Sequence, residues 1–218
     1  MLELLFILGF GMLAYHGATI RDEELSELPR KISDKIGQLW DIAHKGMREN
    51  RFLRAEKALL TILKIDQKNA AAYNRLGILY AKQKEYKDAI DCFEIASSIE
   101  SSASSLHNLG LIYYETENYD KAATAFEQAL KLEDGLAARH IAYAKVQERL
   151  GNDKLMFQEL QKAIDLEPTK ESYGLLHKAY ESRGMHDEAK DIEKKLTNAS
   201  QSKTSPKRIT RPKRRVVL

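Results

Sequence analysis

Apolar side chains return every three or four positions across residues 36–197, and polar residues fill the intervals. A period near 3.6 puts such residues on one stripe of an α-helix, whereas a strand would show a period of two. The stripes come as paired runs of about 13 residues, split by short polar turns. Turn-forming residues stand where the pattern breaks, at Asn50, Lys84-Glu85, Glu117-Asn118, Gly151-Asn152 and Gly184. The pattern predicts an all-α chain made of helix-turn-helix hairpins.

Two of these hairpins align without a gap. Leu76, Gly77, Tyr80, Tyr86, Ala89 and Phe93 recur 33 residues later as Leu109, Gly110, Tyr113, Tyr119, Ala122 and Phe126. Weaker copies flank them. Ile42-Ala43, Phe52, Ala55, Leu59 and Ile62 lie upstream. Tyr143-Ala144, Gly151, Leu160, Ala163 and Pro168 lie downstream, followed by Leu176, Tyr180, Gly184, Ala189 and Leu196. A fixed period of this kind marks a repeat array, in which one hairpin cannot bury its apolar face until a neighbour covers it. The small residues have a steric role. Gly77 and Ala89 are expected to face each other within one hairpin, and Gly110 and Ala122 within the next. Tyr80, Phe93, Tyr113 and Phe126 fill the space beside them.

The recurring Leu-Gly-x-x-Tyr, Tyr-x-x-Ala and Phe resemble the tetratricopeptide repeat, a helix-turn-helix of about 34 residues. The resemblance covers about 160 of the 218 residues. It implies a right-handed superhelical solenoid of about five units, near residues 36–69, 70–102, 103–136, 137–169 and 170–197. The outer units depart from the pattern. The first lacks the glycine, the fourth has Met156 and Asp153 at usual alanine and aromatic places, and the fifth has His177 at the small-residue place.

The family resemblance also implies a non-catalytic scaffold whose first helices line a concave groove for protein partners. Carried onto this chain, the groove positions are Trp40, His44 and Met47, then Asn74, Ile78 and Lys82. His107, Leu111 and Tyr114 follow, then Ile141, Lys145 and Arg149, then Lys178 and Glu181. An extended or helical peptide with apolar anchors suits the first half of that face. Trp40 stands open between groove and core, while Tyr114 is assigned to the groove because Tyr113 takes the core position. Some members grip a C-terminal carboxylate with fixed Lys, Asn and Arg residues. The equivalent places here hold Trp40, His44, Arg75, Ser104 and Asn108, so that mode is not expected.

Segments outside the repeats add a membrane question. Leu4 to Tyr15 is an unbroken apolar run, and Leu2 to Ile20 carries one charge, Glu3. As a helix, residues 2–20 would extend roughly 28 Å at about 1.5 Å per residue, against a hydrocarbon core of about 30 Å. An uncleaved anchor over residues 1–20 is the leading reading; a signal peptide and a helix docked on the repeats are the others. Arg21, Arg30, Lys31 and Lys35 follow the run within a linker over 21–35. The positive-inside rule then puts the N-terminus outside and the repeats in the cytoplasm. The opening Met1-Leu-Glu-Leu-Leu-Phe6, with Ala14-Tyr15, resembles the start of the lipopolysaccharide assembly protein B family. That family joins one anchor to cytoplasmic tetratricopeptide repeats and a rubredoxin-like domain. The Cys-x-x-Cys pairs of the latter do not occur here, so the resemblance implies topology and not that role.

Net charge is +3, but Thr197 to Leu218 holds seven Lys/Arg and no Asp/Glu. Taking those seven from 35 leaves 28 basic against 32 acidic residues, so the rest of the chain is about −4. The tail, residues 198–218, is expected to be disordered. Its Lys207, Arg208, Arg211, Lys213, Arg214 and Arg215 leave three roles open: solubilising end, contact with anionic lipid, or non-specific contact with nucleic acid. No cofactor is implied and no enzyme chemistry is visible. The six histidines form no ligand pair, no phosphate-binding glycine loop occurs, and the lone Cys92 reads as a small packing residue.

Overall fold

The computed structural model describes residues 30–202, and the side chains of 30–197. The apolar segment 1–20 and the basic residues Lys207, Arg208, Arg211, Lys213, Arg214 and Arg215 lie outside the described residues. Among the described residues every regular element is a helix. They divide into two compact units, one ending at Glu100 and one beginning at Ser101.

The first unit holds α1 (residues 30–48), α2 (Phe52–Ile65), α3 (Ala70–Gln83) and α4 (Tyr86–Ile99). The second holds α5 (Ala103–Glu115), α6 (Tyr119–Leu132), α7 (Ala137–Arg149), α8 (Asp153–Leu166), α9 (Lys170–Ser182) and α10 (His186–Ser202). Helix α1 already runs at residue 30, inside the stretch expected as linker, and α10 continues past residue 197 to Ser202.

The hairpin turns share one device. Asn50, Lys84, Glu117, Gly151 and Gly184 adopt positive φ, at the breaks read from the pattern. The residue after each donates its N–H to a carbonyl five positions back. Glu85 donates to Tyr80 at 2.9 Å, Asn118 to Tyr113 at 2.8 Å and Asn152 to Gln147 at 2.9 Å. This wrap satisfies carbonyls that a helix end would otherwise leave open. Turns between hairpins rely on caps instead. The Asn69 side chain accepts from the Ala72 N–H at 3.0 Å, and Ser102 accepts from Ser105 at 3.1 Å. Thr169 and Ser172 exchange hydrogen bonds in a capping box.

Within the first unit α3 packs on α4 and α2 on α3, and Leu39, Ala43 and Met47 of α1 join Ala55, Leu59, Ile62, Leu76 and Leu79 in one core. The Tyr80 hydroxyl donates to Glu56 at 2.9 Å, tying the second hairpin to the first. In the second unit α5 pairs with α6, α7 with α8 and α9 with α10, while α6 meets α7 and α8 meets α9. Ala144, Met156, Leu160, Ile164, Leu176 and Ile192 form a core there. A partly buried hydrogen-bond network clips α7 to α8. His140 Nδ1 lies 2.6 Å from Glu159 Oε2, its Nε2 lies 2.7 Å from the Asp134 carbonyl, and Lys162 Nζ reaches Glu159 Oε1 at 2.8 Å.

Two hairpins bring a ring close against a glycine. A Cβ placed on Gly77 would lie 2.7–2.8 Å from the ring of Phe93, and one on Gly110 would lie 2.9–3.0 Å from the ring of Phe126. Both rings are fully buried. The nearest atoms opposite each glycine are thus the phenylalanine ring, rather than Ala89 or Ala122. The alanines are buried beside it and leave it room.

Two substitutions should therefore move stability in opposite directions. Gly77→Ala adds a methyl where none fits and is expected to destabilise by about 1–3 kcal/mol, despite alanine's better helix propensity. Lys84→Gly removes a left-handed penalty at an exposed turn and is expected to stabilise by about 1 kcal/mol. Urea unfolding of the two variants beside the parent checks both signs.

Candidate functional site

The second unit carries a cavity of about 430 Å³ between α5, α7 and the start of α9. Five positions expected in the groove meet there: His107, Leu111 and Tyr114 from α5, with Ile141 and Lys145 from α7. Residues 107, 111 and 114 are four and three apart, so they share one face of α5, and 141 and 145 share one of α7. Helix α6 covers the opposite side of α5, with Phe126 closing the floor. Leu111, Ile141 and Ala142 make an apolar surface, and Glu115, Glu167 and Glu171 stand around it against the single cation Lys145.

His107 sits edge-on to Phe126, with ring centroids 5.4 Å apart. Its Nδ1 is buried and has no hydrogen-bond partner among the described residues. Burial, and then the positive charge of Arg139, hold its pKa below the usual histidine range. The site therefore presents a neutral imidazole near pH 7. Tyr114 rests edge-on against Tyr119 at 5.6 Å. Arg149 Nη2 donates to the Tyr119 hydroxyl at 2.6 Å and the guanidinium lies 5.1 Å from that ring's centroid. Arg149, expected to line the groove, thus braces Tyr119 and does not line this cavity. A smaller cavity of about 280 Å³ adjoins it, shares Tyr114 and Lys145, and adds Lys178. Glu181 approaches His177 at 3.8 Å.

The first unit has its own cavity of about 720 Å³ between α1 and α3. His44, Met47, Ile78 and Lys82 line it as expected; Asp41, Lys45, Arg48 and Arg75 line it as well. Trp40 and Asn74 are not among its lining residues. Trp40 packs half-buried against the core of the unit, its ring 5.6 Å from His44. Lys45 and Arg48 were not anticipated. Their sign was present in the sequence, because residues 41, 44, 45 and 48 follow helical spacing and face one way.

Among the described residues no group of His, Cys, Asp and Glu is arranged to hold a metal ion. The buried Cys92 thiol is pushed up to about 11 by burial and by Asp88 and Asp91, so it is protonated at neutral pH.

With this geometry, comparison places the repeats. Residues 68–132 and 101–167 match the family model of the tetratricopeptide repeat. No curated protein matches the chain. Among solved structures, MamA superposes with a TM-score of 0.70 at 24% identity, over 78% of this chain and 94% of that one. MamA from Desulfovibrio magneticus RS-1 gives 0.71 at 17% identity, over 79% and 98%. YrrB, described as a TPR protein with an unusual peptide-binding site, gives 0.62 at 18% identity, over 73% and 83%. At these identities the likeness shows the fold alone, an array of helical hairpins. The segment that carries the lipopolysaccharide assembly protein B resemblance lies outside the described residues.

His107 gives the site a measurable pH signature. The unfolded chain takes up a proton near the ordinary value of 6.5, whereas the folded chain does so only at lower pH. Between those values the unfolded state holds more protons, so stability falls as pH drops through the window. His107→Gln should remove that component from the pH dependence of unfolding. NMR titration of the His107 ring checks the shift directly, and a midpoint at or above 6.5 would contradict it.

Proposed function

We propose that this chain is a non-catalytic scaffold that holds a protein partner in the groove of its second unit. The observation that carries the reading is the convergence of His107, Leu111, Tyr114, Ile141 and Lys145 on one open cavity with an apolar floor. An apolar floor ringed by three carboxylates suits a peptide that inserts an apolar or aromatic anchor and carries a basic neighbour. Tyr114 is the residue best placed to stack on such an anchor. The family match supports the reading, as does the peptide-binding site named for YrrB.

The test is selection from a displayed peptide library on the full chain. Tyr114→Ala and Ile141→Asp should each weaken the selected peptides about tenfold or more, about 1.4 kcal/mol or greater. Equal binding to parent and variants would sink the groove assignment.

The same reading keeps the scaffold at a membrane. Among the described residues no helix is long and apolar enough to cross one. Anchoring therefore rests on Leu2 to Ile20, with the N-terminus outside and the repeats in the cytoplasm. That topology would bring the basic residues 207–215 near anionic headgroups. The full chain is expected to stay with the membrane pellet after carbonate extraction and to leave it once residues 1–20 are deleted. A parent chain that is already soluble would overturn the anchor.

A further inference from the structure

The cavity of the first unit differs in kind from that of the second. Lys45 and Arg48 reach it from α1, and Arg75 and Lys82 from α3, against one carboxylate, Asp41. Among the described residues none of these four cations is ion-paired. Positive charge near a helix C-terminus can simply complement the helix dipole. That accounts for Lys45, Arg48 and Lys82, which lie toward the ends of α1 and α3. It does not account for Arg75, which sits in the middle of α3 and is half-buried on the groove side. Holding a guanidinium partly desolvated beside other cations is unfavourable unless an anion arrives.

From this we infer that the first-unit groove is a second, separate docking site, and that its occupant is an acidic peptide segment. Met47 and Ile78 provide the apolar part of the surface. An aliphatic side chain of the peptide rests there while flanking carboxylates meet Arg48 and Arg75, each able to hold a carboxylate by two parallel N–H bonds. A cavity of about 720 Å³ accommodates a few side chains at once. Nucleic acid fits less well. The lining holds one ring, the His44 imidazole, which already rests 5.6 Å from Trp40, and no Phe, Tyr or Trp on which successive bases could stack. The two grooves thus select opposite partners. Glu115, Glu167 and Glu171 repel from the second what Lys45, Arg48, Arg75 and Lys82 attract to the first.

The experiment uses the full chain in non-ionic detergent and a short fluorescein-labelled peptide of Glu, Asp and Leu, read by anisotropy. The peptide should bind, and its amide counterpart of Gln, Asn and Leu should not. Binding should weaken with salt. The pair Arg48→Gln with Arg75→Gln should lower affinity about tenfold or more, with thermal unfolding showing that the fold is intact. Tyr114→Ala should leave this binding unchanged, which separates the site from the groove of the second unit. Unchanged affinity in the arginine variant means that the basic tail captured the peptide, and it overturns the inference. An oligonucleotide of equal charge that binds more tightly, and is lost in the same variant, overturns the choice of a peptide.

Discussion

The close approach of paired helices across a glycine carries the rest of this structure. Where Gly77 meets Phe93 and Gly110 meets Phe126, one helix presents bare backbone and its partner fills the space with a ring. Dispersion contacts fall off within an ångström, so the fit fixes the spacing of each hairpin closely. Once that spacing is set, the second helix of each hairpin is committed to covering the first. Met156 and Leu160 of α8 do the same work in the following hairpin, where no glycine faces a ring.

What remains uncovered is a direct result. Within each unit a first helix has one face against its own partner and a flank against a neighbouring hairpin. Its last face looks outward, and the cavities lie there: between α1 and α3 in the first unit, and between α5, α7 and α9 in the second. Groove residues therefore need no special backbone. They need only stand on the helical face opposite the glycine and its neighbours, and a period of 33 residues carries such a face from α3 to α5. Electrostatics then distinguishes grooves that share a plan. Arg139 and His140 of the second unit are buried with partners, Glu133 at 2.8 Å and Glu159 at 2.6 Å, and serve packing. Among the described residues the charges lining the two cavities, such as Arg48, Arg75, Glu115 and Glu171, form no such pairs.

The helices, their turns and the repeat were legible in the sequence because they follow from local rules. Apolar spacing marks a helical stripe, and the left-handed turns at Asn50, Lys84, Glu117, Gly151 and Gly184 fall where the stripes break. That His107, Leu111 and Tyr114 share one face of α5, and Ile141 and Lys145 one face of α7, was legible for the same reason, since a helical face is a matter of counting. Only the tertiary structure could decide which side chains already have a partner. It packed Trp40 half-buried against the core of the first unit, set Arg149 against Tyr119, and put the Phe93 ring opposite Gly77. It also gathered Arg48 and Arg75 from different helices around one cavity. Helical periodicity says which way a residue faces; whether that direction holds solvent, a ring or an opposite charge depends on elements distant in the chain.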